Sequence, residues 1–116
     1  MFVEFYGPKI EAEDAINKLL NLPATGREQD WEIELADPAR IDEMLDALET
    51  KEIDFDCQSA LSLLVISSID EANELGLLNE KQVRRAAELF FINSDLRDRM
   101  CFYWVHLARA KDINLT

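Results

Sequence analysis

Glycine and proline are scarce in this chain, three of each in 116 residues, and that argues against a low-complexity or loop-dominated protein. Three glycines are also too few for a phosphate-cradling loop, which needs glycine-rich backbone to bring N–H groups up to the ligand. Histidine and cysteine are nearly absent: His106, Cys57 and Cys101 are all there is. His106 follows Cys101 by five residues, which puts the two on different helical faces, and no second ligand pair exists for zinc or haem. A single histidine, with no strand-turn-helix nucleophile elbow, gives no support to serine or cysteine catalysis. Asp54 and Asp56 lack the loop spacing, the glycine and the closing glutamate of a calcium-binding hand. No catalytic residue, metal or cofactor is therefore expected. The two thiols lie in apolar helical patterns and are predicted to be small buried core residues, not a disulfide. Long hydrophobic runs are missing too. The longest, Ser59–Ile69, has 11 residues, about half of a bilayer crossing. Met1 to Tyr6 show no basic segment or cleavage site of a secretory signal, so a soluble, cytoplasmic protein is expected.

What the chain does contain is enough apolar sequence, 48%, for one globular domain over residues 1–116. Gly7-Pro8 opens a helix to about Leu22 that buries Ala12, Ala15, Ile16, Leu19 and Leu20. Trp31-Glu-Ile-Glu-Leu35 alternates strictly and predicts a half-buried strand, with Phe2–Tyr6 a possible second strand paired to it. Asp37-Pro38 is a helix start, a side-chain cap followed by proline. In the helix that follows, Ile41, Met44, Leu45 and Leu48 share one face, and Asp42, Glu43, Asp46 and Glu49 take the other. Residues 58–75 are apolar on every side of the helical cylinder, which marks a central buried helix, with Gly76 as its stop. Asn79 and Gln82 form a capping box for the next helix, stapled by Leu78 and Val83, with Val83, Ala86, Ala87, Leu89 and Phe90 buried. Asn93-Ser94-Asp95 caps the last helix, which buries Leu96, Met100, Tyr103, Trp104 and Leu107. The expected fold is mainly α, a compact bundle of about five helices around helix 58–75, with one or two short strands (about 2–6 and 31–35).

Charge is distributed unevenly. Residues 28–56 hold twelve carboxylates against two bases, Arg40 and Lys51, and so carry ten of the chain's twelve net negative charges. Crowded like charge opposes folding, so it asks for a reason. It also argues against nucleic acid and anionic membranes as direct ligands. Asp30, Glu32 and Glu34 on the strand and Asp42, Glu43, Asp46 and Glu49 on the next helix are predicted to merge into one acidic face for a basic protein. Trp31 reads mainly as core, and as an anchor of that face in the second place. Phe102 falls outside the buried stripe of its helix, between Arg99, His106 and Arg109. Either a second layer covers it or it marks a self-association patch, and Val105 on the same side points to the layer.

The run from Asp30 through Leu45, Asp-Trp-Glu-Ile-Glu-Leu-Ala-Asp-Pro-Ala-Arg-Ile-Asp-Glu-Met-Leu, is followed much later by Asn93-Ser-Asp-Leu-Arg-Asp-Arg-Met-Cys-Phe-Tyr-Trp104. Together they resemble small acidic immunity proteins of bacterial polymorphic and contact-dependent toxin systems. The resemblance implies a single cytoplasmic domain that binds and blocks one cognate toxin domain, often a basic nuclease. It brings no binding residue with it, so the expected partner-binding set comes from the charge map. The alternative is an acidic helical adaptor or chaperone-like module that forms a homodimer.

Overall fold

The computed structural model describes residues 7–111, with side chains to residue 107; the strand expected at 2–6 lies outside them. Six helices occur among the described residues: α1 (Ile10–Leu19), α2 (Trp31–Glu34), α3 (Ile41–Thr50), α4 (Phe55–Glu74), α5 (Glu80–Ile92) and α6 (Ser94–Lys111), with a 3-10 turn at Pro38–Arg40. The chain is mainly helical, as its periodicity predicts. α4 is the axis: α1, α2, α3 and α6 pack on it, and α5 bridges α3 and α6.

α4 is the buried helix that the charge-free run predicts, and its buried residues lie on all sides from Cys57 to Ala72. Two of its buried serines, Ser59 and Ser68, are satisfied by the carbonyl four residues before them, whereas the buried Ser62 hydroxyl has no hydrogen-bond partner among the described residues. Ser68 Oγ donates to the Leu64 carbonyl at 2.8 Å and accepts from Asp37 N at 3.0 Å, which ties the loop after α2 to the core. The helix starts one residue after Asp54, whose carboxylate accepts from Cys57 N at 2.8 Å. It ends at Gly76, where φ is +73° and the Leu77 N–H reaches back to the Ala72 carbonyl. Asn79 caps α5 by accepting from Lys81 N and Gln82 N. The reciprocal half of the expected capping box is not made: the Gln82 side chain goes to Asp42 instead. Asn93 caps α6 in the same way as Asn79 caps α5, and Phe90 meets Trp104 edge to face across the α5–α6 contact.

The expected strand at 31–35 is a helical turn. Its three apolar residues sit at i, i+2 and i+4, so the segment satisfies both periods; as a helix it buries Trp31 and Leu35 and leaves Ile33 65% exposed. Backbone pairing decides between the two. No described strand lies beside the segment, whereas a turn satisfies its N–H groups internally, Glu34 to the Asp30 carbonyl at 2.8 Å and Leu35 to the Trp31 carbonyl at 3.0 Å. The Glu34 carboxylate adds to this by accepting from Asp30 N at 2.9 Å. α1 also departs from expectation. It stops at Leu19 because Asn21 takes a left-handed φ of 51°, and its buried stripe is Ala12, Ile16 and Leu20, with Ala15 and Leu19 exposed.

Two expectations for α6 are corrected. Phe102 is 59% and Val105 38% exposed, so no second layer of described residues covers them. Cys101 is exposed as well, while Cys57 is buried; both thiols are free.

Candidate functional site

The four acidic residues of α3 are exposed as the helical wheel predicts, but they are not left to face solvent alone. α5 lies alongside, and Arg85 Nη2 stands 2.7 Å from Asp46 Oδ1 and 3.3 Å from Glu49 Oε1. Gln82 Nε2 donates to Asp42 Oδ1 at 3.1 Å. Arg40 grips Glu43 with two hydrogen bonds, Nε to Oε2 at 2.9 Å and Nη2 to Oε1 at 2.6 Å, and also donates to the Leu20 carbonyl. The hydrogen bond from Arg40 holds the Glu43 carboxyl below the usual carboxylate range. The α3 row is therefore partly counter-charged from within the chain, by Arg40 and Arg85. Replacing Arg85 by alanine should lower stability by about 0.2–1 kcal/mol at low salt, the usual range for exposed pairs, and less as salt rises. Thermal melts at two salt concentrations check this. A loss that does not change with salt would mean that Arg85 acts through packing.

Asp56 is paired on two sides, by Lys9 Nζ at 3.2 Å and Arg99 Nη1 at 3.1 Å. Arg99 also donates to Ser59 Oγ at 3.2 Å and lies 4.2 Å from the centre of the Phe55 ring. Hydrogen bonds from Arg99 and then Lys9 push the Asp56 carboxyl down. A carboxyl lowered by folding adds stability above its unfolded pKa and loses it as pH falls through the folded one.

The α1–α2 side differs. Burial, and then the charges of Glu32, Asp14 and Glu28, push the Glu13 carboxyl up. Three carboxylates thus act on Glu13, and none of the four has a salt-bridge partner among the described residues. Glu28 is occupied in holding the Thr25–Gly26 turn, accepting from Thr25 N at 2.9 Å and from the Thr25 hydroxyl. Glu32 is half-buried, and after burial its charge is what raises the Tyr103 hydroxyl of α6. Asp30 is exposed at the head of α2, and its side chain caps nothing. Because the folded-state pKa of Glu13 is raised, its ionisation costs stability as pH rises through and above the unfolded value. Replacing Glu13 by glutamine should accordingly raise the melting temperature at neutral pH. The gain should vanish once pH falls below the usual glutamate range, and shrink with added salt. A variant less stable than wild type at pH 7 would contradict this.

The expected single face divides by its partners: the α3 carboxylates are held by Arg40, Gln82 and Arg85, whereas Glu32 of α2 acts on Glu13 of α1. Trp31 belongs to neither. It is 1% exposed and its Nε1 donates to Asn17 Oδ1 at 2.8 Å, so it cannot anchor a partner. Sequence reasoning missed Glu13, Asp14 and Glu28 as members of the α1–α2 group. α1 shows a visible acidic run, Glu11 to Asp14, but nothing local says that it meets α2.

Two shallow clefts flank these surfaces. One, of about 190 Å³, is lined by Ile33, Ala36, Ser67, Asp70, Glu71 and Glu74. The other, of about 160 Å³, runs from Lys9 and Glu11 to Asp56 and Cys57. Burial, followed by its hydrogen bond with Asp54, raises the Cys57 thiol to about 11, so it is protonated at neutral pH and is no nucleophile. Among the described residues no group of three or more His, Cys, Asp or Glu is placed to hold a metal ion. None of the described helices is long and apolar enough to cross a membrane. No family model matches the chain, and neither a curated protein nor a solved structure is significantly similar to it.

Proposed function

We propose that this chain is a non-enzymatic binding protein that blocks a basic partner with the acidic α1–α2 side. Asp14, Asp30 and Glu32 make the contacts there, with Glu13 and Glu28 adding to the field. One observation carries the proposal: among the described residues the Asp14, Asp30 and Glu32 carboxylates have no hydrogen-bond or salt-bridge partner, and the charges of Glu32, Asp14 and Glu28 act together on Glu13. A Lys- or Arg-rich surface would offset the like charges that, after burial, raise Glu13, so binding and stability reinforce each other. The partner class that fits is a toxin domain whose cations hold phosphate, and the protein would act as an immunity protein by occupying those cations. The α3 residues Asp42, Glu43, Asp46 and Glu49 take no leading part, because Arg40 and Arg85 already pair with three of them and the Gln82 amide holds Asp42.

Capture by the immobilised protein from a lysate of its own cells tests the proposal. A basic protein should be held at about 50 mM salt and released at about 500 mM, because ionic capture weakens as screening grows. Recovery of no basic protein, or of one that salt does not release, would count against it.

A further inference from the structure

The acidic surfaces account for neither the most prominent exposed apolar feature of α6 nor its charge. Cys101, Phe102, Val105 and His106 are all exposed, and Phe102 stacks on His106 with the rings 9° from parallel and their centroids 6.0 Å apart. In a chain of net charge −12, residues 94–107 of α6 carry two acids, Asp95 and Asp98, and two bases, Arg97 and Arg99. This flank is electrically neutral. Two copies of so acidic a protein repel one another across most approaches, and α6 adds nothing to that repulsion.

We infer that the protein pairs with a second copy of itself through α6, the two helices lying antiparallel about a dyad at Phe102. The pattern is self-complementary. Asp98 lies four residues before Phe102 and His106 four after, on the same face of the helix. Turning one helix over about Phe102 places ring on ring and sets each imidazole opposite the second copy's Asp98 carboxylate. A twofold contact demands this kind of match, since every group must meet its own counterpart; an unrelated partner would impose no such symmetry. Asp98 is available: its side chain is 33% exposed and its bridge to the adjacent Arg97 is long, at 3.7 Å. His106 is held in place by its stack on Phe102. An interface of two helices falls at the small end of stable contacts, which implies a dimer of about 10 µM affinity or weaker. The pairing stands apart from the binding function and holds whether or not a basic partner exists.

Sedimentation velocity of the full chain over a wide concentration range is the test. Wild type should pass from monomer to dimer, and Phe102→Glu should weaken the dimer by at least about tenfold, the effect of removing a central aromatic anchor. Its melting temperature at low concentration should match wild type, because Phe102 is exposed. Asp98→His and His106→Asp should each weaken the dimer by bringing like groups together, and the double variant should restore it. A wild type that stays monomeric, a Phe102→Glu dimer as tight as wild type, or a double variant no tighter than the single ones would overturn the inference.

Discussion

Truncating Trp31 to alanine is expected to cost the fold about 3–5 kcal/mol, the range for removing a fully buried large aromatic side chain. That is a large part of the roughly 5–15 kcal/mol that holds a domain of this size together. The residue sits in the shortest helix, at 1% exposure, with its ring against the core built on α4. Its indole N–H is bonded to Asn17, so the same side chain joins α1 to α2 and positions Glu32 near Glu13. Trp31→Phe should retain most of the packing and lose that hydrogen bond, at about 0.5–1.5 kcal/mol. Chemical denaturation of the three proteins would measure both steps. An alanine variant as stable as wild type would mean that Trp31 is on the surface, and would reopen its reading as a partner anchor.

The second large effect is on binding. Changing Asp14, Asp30 and Glu32 together to lysine should weaken association with the basic partner by at least about 100-fold, because each new cation removes an attraction and adds a repulsion. None of these three side chains makes a hydrogen bond or salt bridge among the described residues, so the fold should survive. Glu13 loses two like-charged neighbours in that variant, so its melting temperature at neutral pH should equal or exceed that of wild type. By contrast, Asp46→Asn with Glu49→Gln should leave affinity within about threefold, since those charges are already paired with Arg85. Reversing Asp46 to lysine would test stability as much as binding, because it sets two cations against each other across α3 and α5.

Helix starts and the central helix were legible in the sequence because their signals are local. Asn79 and Asn93 each bond to N–H groups two or three residues on, and the charge-free run of α4 needs only its own periodicity to be recognised, although the helix starts at Phe55, behind an Asp54 cap, and not at about residue 58. Residues 31–35 were misread because five residues cannot separate period two from period 3.6 when positions i, i+2 and i+4 are all apolar. The choice depended on whether another strand was available to pair, which lies outside the segment. The acidic site was legible as a count and not as a geometry. Arg85 lies 39 residues from Asp46, and Arg99 43 residues from Asp56, so packing alone determines which acids are neutralised. The exposure of Phe102 is set by packing in the same way. The helical wheel shows that it leaves the buried stripe of α6, but whether another element covers it depends on packing elsewhere.

The most direct test of the central claim is a quantitative capture from lysate with three immobilised baits run side by side: wild type, the Asp14/Asp30/Glu32 lysine variant, and Asp46→Asn/Glu49→Gln. The account predicts that one basic protein is retained at about 50 mM salt by the first and third baits, released from both by about 500 mM, and missing from the second. Equal retention on the first two baits, with loss on the third, would place the binding surface on α3 and contradict the account.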